Sequence, residues 1–274
     1  LVGSEMCIRD SAEATLVLRA RTPCTIAGLA AMPLLLEIFA PTSTFDPWCQ
    51  DGRPVPAGGV LGRLQGPHRQ LLALERTMLN LLSRLSGIAT RTAQYAAALG
   101  PTSRARLYDT RKTTPGLRAL EKYAVRCGGG FCHRLGLHDA MLIKDNHLAG
   151  VPPEQLADFV QAAAQRARLL RPDLWFVEVE VDSLKQLQRL LPICPGLVDA
   201  ILLDNMTTAQ IALAVETRDA RAPSVQLEVS GNVTLDTLDH LSRTGVERIS
   251  AGSITHHAVW VDIGLDSAEG AVDS

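Results

Sequence analysis

From Arg104 onward the chain alternates short apolar runs with helix-length amphipathic stretches, and this alternation constrains the fold more than any other feature. The apolar runs fall at residues 105–108, 140–143, 175–181, 200–203, 225–229 and 248–250. Between them, residues 116–126, 154–170, 183–191, 208–216 and 235–243 carry helical spacing. Repeated βα units of this length build a parallel sheet covered by helices. Six strands, with a seventh expected near residues 259–263, favour closure into a barrel, although periodicity alone leaves an open sheet in play.

The preceding part reads differently. Strands are expected at residues 14–19 and 45–49, a helix at 27–39, and tight hairpins in the Gly- and Pro-rich stretch 51–67. Residues 68–99 have helical periodicity, with leucines at 71, 72, 79, 82 and 85, and a break is expected around Ser86–Gly87. Residues 100–103 make a joint. The expected organisation is an N-terminal domain over 12–103, a barrel over 104–266 and a tail over 267–274. The first ten residues, LVGSEMCIRD, resemble the in-frame translation of a transposase adapter used in sequencing-library preparation, so residues 1–11 are set apart as non-native.

Composition narrows the class. With 46% apolar residues and a net charge of −2, the chain is unlike a disordered one. Near-neutral charge and 4% aromatics argue against a nucleic-acid binder, which needs basic grooves and stacking platforms. The longest apolar stretch, residues 27–36, is interrupted by Pro33 and stopped by Glu37, too short to span a membrane. Cys24, Cys49, Cys127, Cys132 and Cys194 are scattered without C-x-x-C spacing, which fits neither a disulfide framework nor a zinc site and suits a reducing cytoplasm.

Function is legible in the residues that succeed each strand. Asp109-Thr110-Arg111-Lys112 succeeds the first, Lys144-Asp145-Asn146 the second, and Glu178 and Glu180 lie within the third. Asp204-Asn205 ends the fourth, Ser230-Gly231-Asn232 the fifth and Ala251-Gly252-Ser253 the sixth. In a parallel barrel these strand ends share one face, where active sites are built. Residues 104–147 hold nine basic residues against four acidic ones in a chain that is slightly acidic overall, so the positive charge is local and suits a small polyanion. Within it, Arg118, Lys122 and Arg126, spaced by four, are expected to form a solvated helix face. The chain has 23 arginines and four lysines, yet Lys112 and Lys144 both stand at strand ends. Arginine grips carboxylates with a planar fork and lysine supplies a compact charge for phosphate, so the expected ligand carries both groups. The small-residue loops at Ser230–Asn232 and Ala251–Ser253 let backbone N–H groups approach a phosphate.

The same segments carry a family resemblance. DTRKTTPGLRALEKYAVRCGGGFCHRLGLHDAMLIKDNH, from Asp109 to His147, resembles the signature of the quinolinate phosphoribosyltransferases. ERTMLNLLSRLSGIAT, EVEVDSL, ILLDN and the closing DIGLD agree with it in order. The resemblance implies an N-terminal α/β sandwich joined to an incomplete parallel α/β barrel. It also implies a pentosyl transfer: quinolinate and phosphoribosyl pyrophosphate give nicotinate mononucleotide, pyrophosphate and carbon dioxide, with Mg2+, on the route to NAD. By resemblance, Thr110, Arg111, His133 and Arg134 hold quinolinate, joined by Arg76 from the partner of a homodimer, with room for a larger assembly. Lys112 and Lys144 meet the pyrophosphate, and Glu180 and Asp204 face the ribose hydroxyls and magnesium. Ser230, Gly231, Asn232, Ala251, Gly252 and Ser253 surround the 5′-phosphate, with His256 nearby.

Two positions depart from the family pattern. Asn232 stands where a second glycine is usual, and Cys132 where an asparagine is usual. Two other readings compete: a paralogous pyrophosphorylase associated with molybdenum transport, and a catalytically silent nucleotide-binding protein. Arg76, Arg111 and Arg134 together favour quinolinate over the first; intact Lys112, Lys144, Glu180 and Asp204 argue against the second.

Overall fold

The computed structural model describes residues 12–268, and the adapter-like segment lies outside the described residues. The chain divides into two compact units. The first takes residues up to Ala93, Tyr123–Gly129 and the stretch from Ala258; the second takes Gln94–Lys122 and Gly130–His257.

The first unit is a four-stranded sheet with helices packed on it. Its strands are β1 (Glu13–Ala20), β3 (Thr44–Pro47), β5 (Val60–Pro67) and β12 (Ile263–Ser267), in the order β12-β1-β5-β3 and antiparallel throughout. Two short strands, β2 (Cys24–Thr25) and β4 (Pro54–Val55), pair beside it. Helix α1 (Met32–Phe39) and the long helix α2 (His68–Leu99) complete it. Leu71, Leu74, Met78 and Leu82, spaced by three and four, form the buried stripe of α2 against Leu18, Ala20, Leu61 and Leu64 of the sheet.

Two expectations fail here for tertiary reasons. The strand expected near residues 259–263 as a seventh barrel member instead lies at Ile263–Ser267 and pairs with β1, Leu18 opposite Leu265, so the chain's end returns to the N-terminal sheet. Nor does α2 break at Ser86–Gly87. Ser86 Oγ stays inside the helix surface and accepts the Ala27 amide at 3.1 Å. A Cβ on Gly87 would lie 2.1 Å from the Val259 carbonyl oxygen, so the glycine admits a crossing segment rather than ending the helix.

The second unit is the expected βα alternation. Among the described residues, six parallel strands run β6 (Arg106–Tyr108), β7 (Met141–Ile143), β8 (Val177–Val181), β9 (Ala200–Asp204), β10 (Gln226–Ser230) and β11 (Arg248–Ser250) in sequence. Their spatial order is β6-β11-β10-β9-β8-β7, with a further bridge from Tyr108 to Phe131 on the outer side of β6. No described pairing joins that bridge to β7, which is the gap of an incomplete barrel. The helices are α3 (Arg118–Cys127), whose residues from Tyr123 onward fall in the first unit, α4 (Asp145–Leu148), α5 (Leu156–Leu170), α6 (Leu184–Leu190), α7 (Thr208–Arg221), α8 (Leu235–Ser242) and α9 (Ser253–His256). No described helix is long and apolar enough to cross a membrane.

Helix α3 corrects the solvated-face expectation. Arg126 is exposed and lies 5.8 Å from the Tyr123 ring, but Lys122 turns inward. Its Nζ donates to both carboxylate oxygens of Asp109 at 2.6 Å, and neither side chain meets solvent appreciably.

Candidate active site

The strand pleat sorts residues between two faces of the barrel sheet. On β8, Val177, Val179 and Val181 are buried toward the helices, while Glu178 and Glu180 point the other way. Parallel register carries the alternation across the sheet, with Ser230 opposite Asp204, Glu228 opposite Arg248 and Ser250 opposite Tyr108. The polar residues therefore share one lumen, and a cavity of about 520 Å³ opens where the strands end.

Thr110, Arg111, Lys112, His133, Arg134 and Lys144 all line this cavity. Arg111 Nε is buried with no hydrogen-bond partner. Burial first, and then the neighbouring Arg111 charge, pushes the Arg134 guanidinium down. Two guanidiniums close enough to repel each other form a site that an anion would relieve. Lys144 Nζ lies 3.1 Å from Glu180 Oε2, with the lysine about half exposed and the carboxylate mostly covered.

Glu180, Asp204, Ser230, Gly231, Asn232 and Gly252 line the same cavity. Asp204 is pinned by Ser230 Oγ and by Asn205 Nδ2, each donating at 2.7 Å. Gly231 has φ 88°, and a Cβ there would sit 2.1 Å from Asn205 Oδ1, so this turn requires glycine twice over. Asn232 comes next with φ 49°, the left-handed conformation that asparagine tolerates, so the departure from glycine keeps the loop geometry. A Cβ on Gly252 would come within 3.0 Å of Lys112 Cδ, because the lysine stem passes directly over it.

Three residues expected around the phosphate do not line the cavity. Ala251 is buried, and its N–H donates to the Tyr108 carbonyl at 3.0 Å, so it serves the sheet. Ser253 Oγ is 3.2 Å from the Tyr95 hydroxyl and donates to the Val233 carbonyl at 3.3 Å. His256 is exposed, edge-on to His257, with Nε2 3.2 Å from where a Cβ on Gly252 would stand. Arg76 belongs to the first unit, on α2, where its side chain is 77% exposed beside Glu75. Cys132 Sγ donates to the Lys122 carbonyl at 3.6 Å.

Sequence reasoning missed the charged cluster at the cavity floor, of which His133 and Glu228 line the cavity and Glu178 and Arg248 lie behind them. His133 Nε2 lies 2.7 Å from Glu178 Oε2 and 3.3 Å from Glu228 Oε1, and Arg248 Nε donates to Glu228 Oε2 at 2.6 Å. All four side chains are buried. Burial alone would push the His133 imidazole down, but Glu228 and Glu178 outweigh it and raise it to about 9, so the ring is cationic at neutral pH. Burial and the Glu228 charge raise Glu178, whereas His133 and Arg248 overcome burial at Glu228 and hold it at about 2. Among the described residues, His133, Glu178 and Glu228 are the one group of three side chains close enough to hold a metal ion. Arg248 and the His133 N–H already supply positive partners there. The missed signal was a charged residue amid apolar neighbours in QLEVS and RIS, on the same pleat face as Glu178 and Glu180.

Comparison with known proteins agrees with this geometry. Residues 88–266 match the family model of the quinolinate phosphoribosyl transferase C-terminal domain, and residues 2–86 that of the N-terminal domain. A nicotinate-nucleotide pyrophosphorylase (carboxylating) of Mycobacterium leprae is 46% identical, over 90% of this chain and 84% of its own. A probable enzyme of the same name from Synechocystis is 40% identical, over 88% and 78%. The solved nicotinate-nucleotide pyrophosphorylase of Francisella tularensis superposes with a TM-score of 0.85 at 33% identity, covering 96% of this chain and 88% of its own.

Proposed function

The chain belongs to the quinolinate phosphoribosyltransferase family, and from that premise we propose that it converts quinolinate and phosphoribosyl pyrophosphate into nicotinate mononucleotide, pyrophosphate and carbon dioxide. The observation that carries this reading is one cavity lined both by Arg111, His133 and Arg134, suited to a dicarboxylate, and by the Ser230–Asn232 turn and Gly252, suited to a phosphate.

In this reading the guanidiniums and the imidazolium orient the pyridine ring so that its nitrogen faces the ribose anomeric carbon. The nitrogen lone pair forms the new C–N bond as the bond to pyrophosphate breaks, and that electron pair leaves with the pyrophosphate. Lys112 and Lys144 stabilise the leaving charge, an electrostatic role rather than a proton transfer. Glu180 and Asp204 face the ribose hydroxyls. Alkylation makes the ring nitrogen cationic, so it stabilises the electron pair left on carbon when the adjacent carboxylate departs as carbon dioxide. A solvent proton then fills that position.

Magnesium is part of the proposal. Glu180 and Asp204 also line a second hollow of about 280 Å³ with Asp145 and Asp182; no three of these carboxylates come close enough to ligate one ion together, so they would hold a hard cation largely through its waters and the substrate's oxygens. When bound, the ion neutralises charge on the departing pyrophosphate. The five cysteines of residues 12–268 are thiols rather than disulfides, which suits the cytoplasm as the working compartment.

Purified protein given quinolinate, phosphoribosyl pyrophosphate and magnesium is expected to release one carbon dioxide per nicotinate mononucleotide formed, measured with carboxyl-labelled quinolinate. Turnover of another pyridine or a pyrimidine, with none of quinolinate, would overturn the assignment. We also propose a homodimer in which the partner subunit's Arg76 completes each site. Mixed Arg76→Ala and Lys144→Ala chains, each inactive alone, are then expected to recover about a quarter of wild-type activity, since statistical pairing gives each mixed dimer one intact site. No recovery after verified subunit exchange rules out the shared site.

A further inference from the structure

We infer that Glu228, clamped by Arg248, is a positioning residue that fixes the His133 ring to receive a carboxylate of quinolinate; this rests on the function proposed above. A carboxylate only accepts hydrogen bonds, so His133 Nε2, set between Glu178 and Glu228, carries a hydrogen and is committed to the barrel interior. Ring Nδ1 is then the nitrogen left to address the cavity that His133 lines. The ring cannot readily turn away. Phe176 meets it edge-on at 5.0 Å and Tyr108 at 6.4 Å, while the His133 backbone N–H donates to Asp109 Oδ1 at 2.8 Å.

Glu228 is itself held. Arg248 donates to its second oxygen, and the guanidinium lies 4.0 Å from the Tyr108 ring centroid and 5.0 Å from that of Phe176. The two carboxylate oxygens of Glu228 thus face different groups: Oε2 accepts from Arg248, while Oε1 lies 3.3 Å from His133 Nε2 as an ion pair, the ring's hydrogen bond itself going to Glu178 Oε2. A glutamine in its place can still accept from Arg248 through its one amide oxygen, but it loses the negative charge that faces the His133 ring and can turn a donor N–H toward it. Burying such a pair where apolar residues would pack at less cost is consistent with a role in orientation rather than stability.

Glu228→Gln is expected to raise the KM for quinolinate at least tenfold while leaving that for phosphoribosyl pyrophosphate within twofold. In a His133→Ala background the same substitution is expected to change the quinolinate KM less than twofold, because the group it acts through is gone. Equal rises in both KM values, or effects that simply add in the double variant, would assign the pair to structure alone. If circular dichroism shows Glu228→Gln unfolded, Arg248→Lys takes its place: lysine keeps the charge but loses the planar fork, so the same quinolinate-selective loss is expected. Failure of both variants to fold also marks a structural strut and sinks the proposal. Wild-type protein without quinolinate turnover refutes the activity itself, whereas normal wild-type turnover with an unaffected Glu228→Gln refutes only the positioning role.

Discussion

Lys144→Ala is expected to lower kcat about 10²–10³-fold, the size seen when one preorganised group that stabilises developing charge is removed. Two losses coincide in this variant. A cation disappears from the cavity where pyrophosphate departs, and Glu180, whose Oε2 lies 3.1 Å from Lys144 Nζ, loses its partner and faces the same departing anion. Stability should barely move. Lys144 is about half exposed, and ion pairs at that exposure contribute about 0–1 kcal/mol. The melting temperature is therefore expected to stay within about 2 °C of wild type. Steady-state kinetics at saturating substrates, paired with a thermal melt, separates the two effects. A variant that keeps more than about a tenth of wild-type kcat removes Lys144 from the charge-stabilising role.

The cavity was legible in sequence to the extent that it depends on strand ends. Short apolar runs between helical stretches locate the six barrel strands to within about two residues, and each strand's next residues then fall on one rim. Arg111, Lys112, Lys144, Glu180, Asp204 and Ser230 were found this way, and all line one cavity. What depends on distant partners was not legible. The strand Ile263–Ser267 has no local mark distinguishing a barrel strand from an edge of the N-terminal sheet; its partner β1 lies some 250 residues earlier in the chain. Gly87 carries a local cost of about 1 kcal/mol in a helix, which reads as a break, but the crossing of Val259 over it outweighs that preference.

The charged floor of the barrel shows a different limit. Period-two alternation places Glu178, Glu228 and Arg248 on the lumen side, and that much can be read from VEVEV, QLEVS and RIS. Nothing in those segments says that two glutamates on two strands converge on one histidine, which enters from the loop between α3 and β7, while an arginine from a third strand holds one of them. Lys122 misled for a related reason. Helical spacing groups it with Arg118 and Arg126, and no local feature shows that its ammonium meets the buried carboxylate of Asp109 from a different element.

Lys122→Met is expected to cost about 3–5 kcal/mol of stability, because removing one member of a buried ion pair leaves an uncompensated charge. Asp109 is wholly buried, and with Lys122 gone its carboxylate keeps, among the described residues, the His133 backbone N–H at 2.8 Å. In a chain of this size such a loss corresponds to a fall in melting temperature of roughly 6–20 °C. The effect should reach the site as well. Asp109 immediately precedes Thr110, Arg111 and Lys112, and it anchors the main chain at His133. Neutralising the stranded acid tests the cause directly: adding Asp109→Asn to Lys122→Met retains an acceptor for the His133 amide while removing the unpaired charge. That double variant is expected to regain at least half of the lost melting temperature. A single variant that melts within about 2 °C of wild type would show that Asp109 does not depend on Lys122. A double variant no better than the single one would place the loss in packing of the lysine stem rather than in its charge.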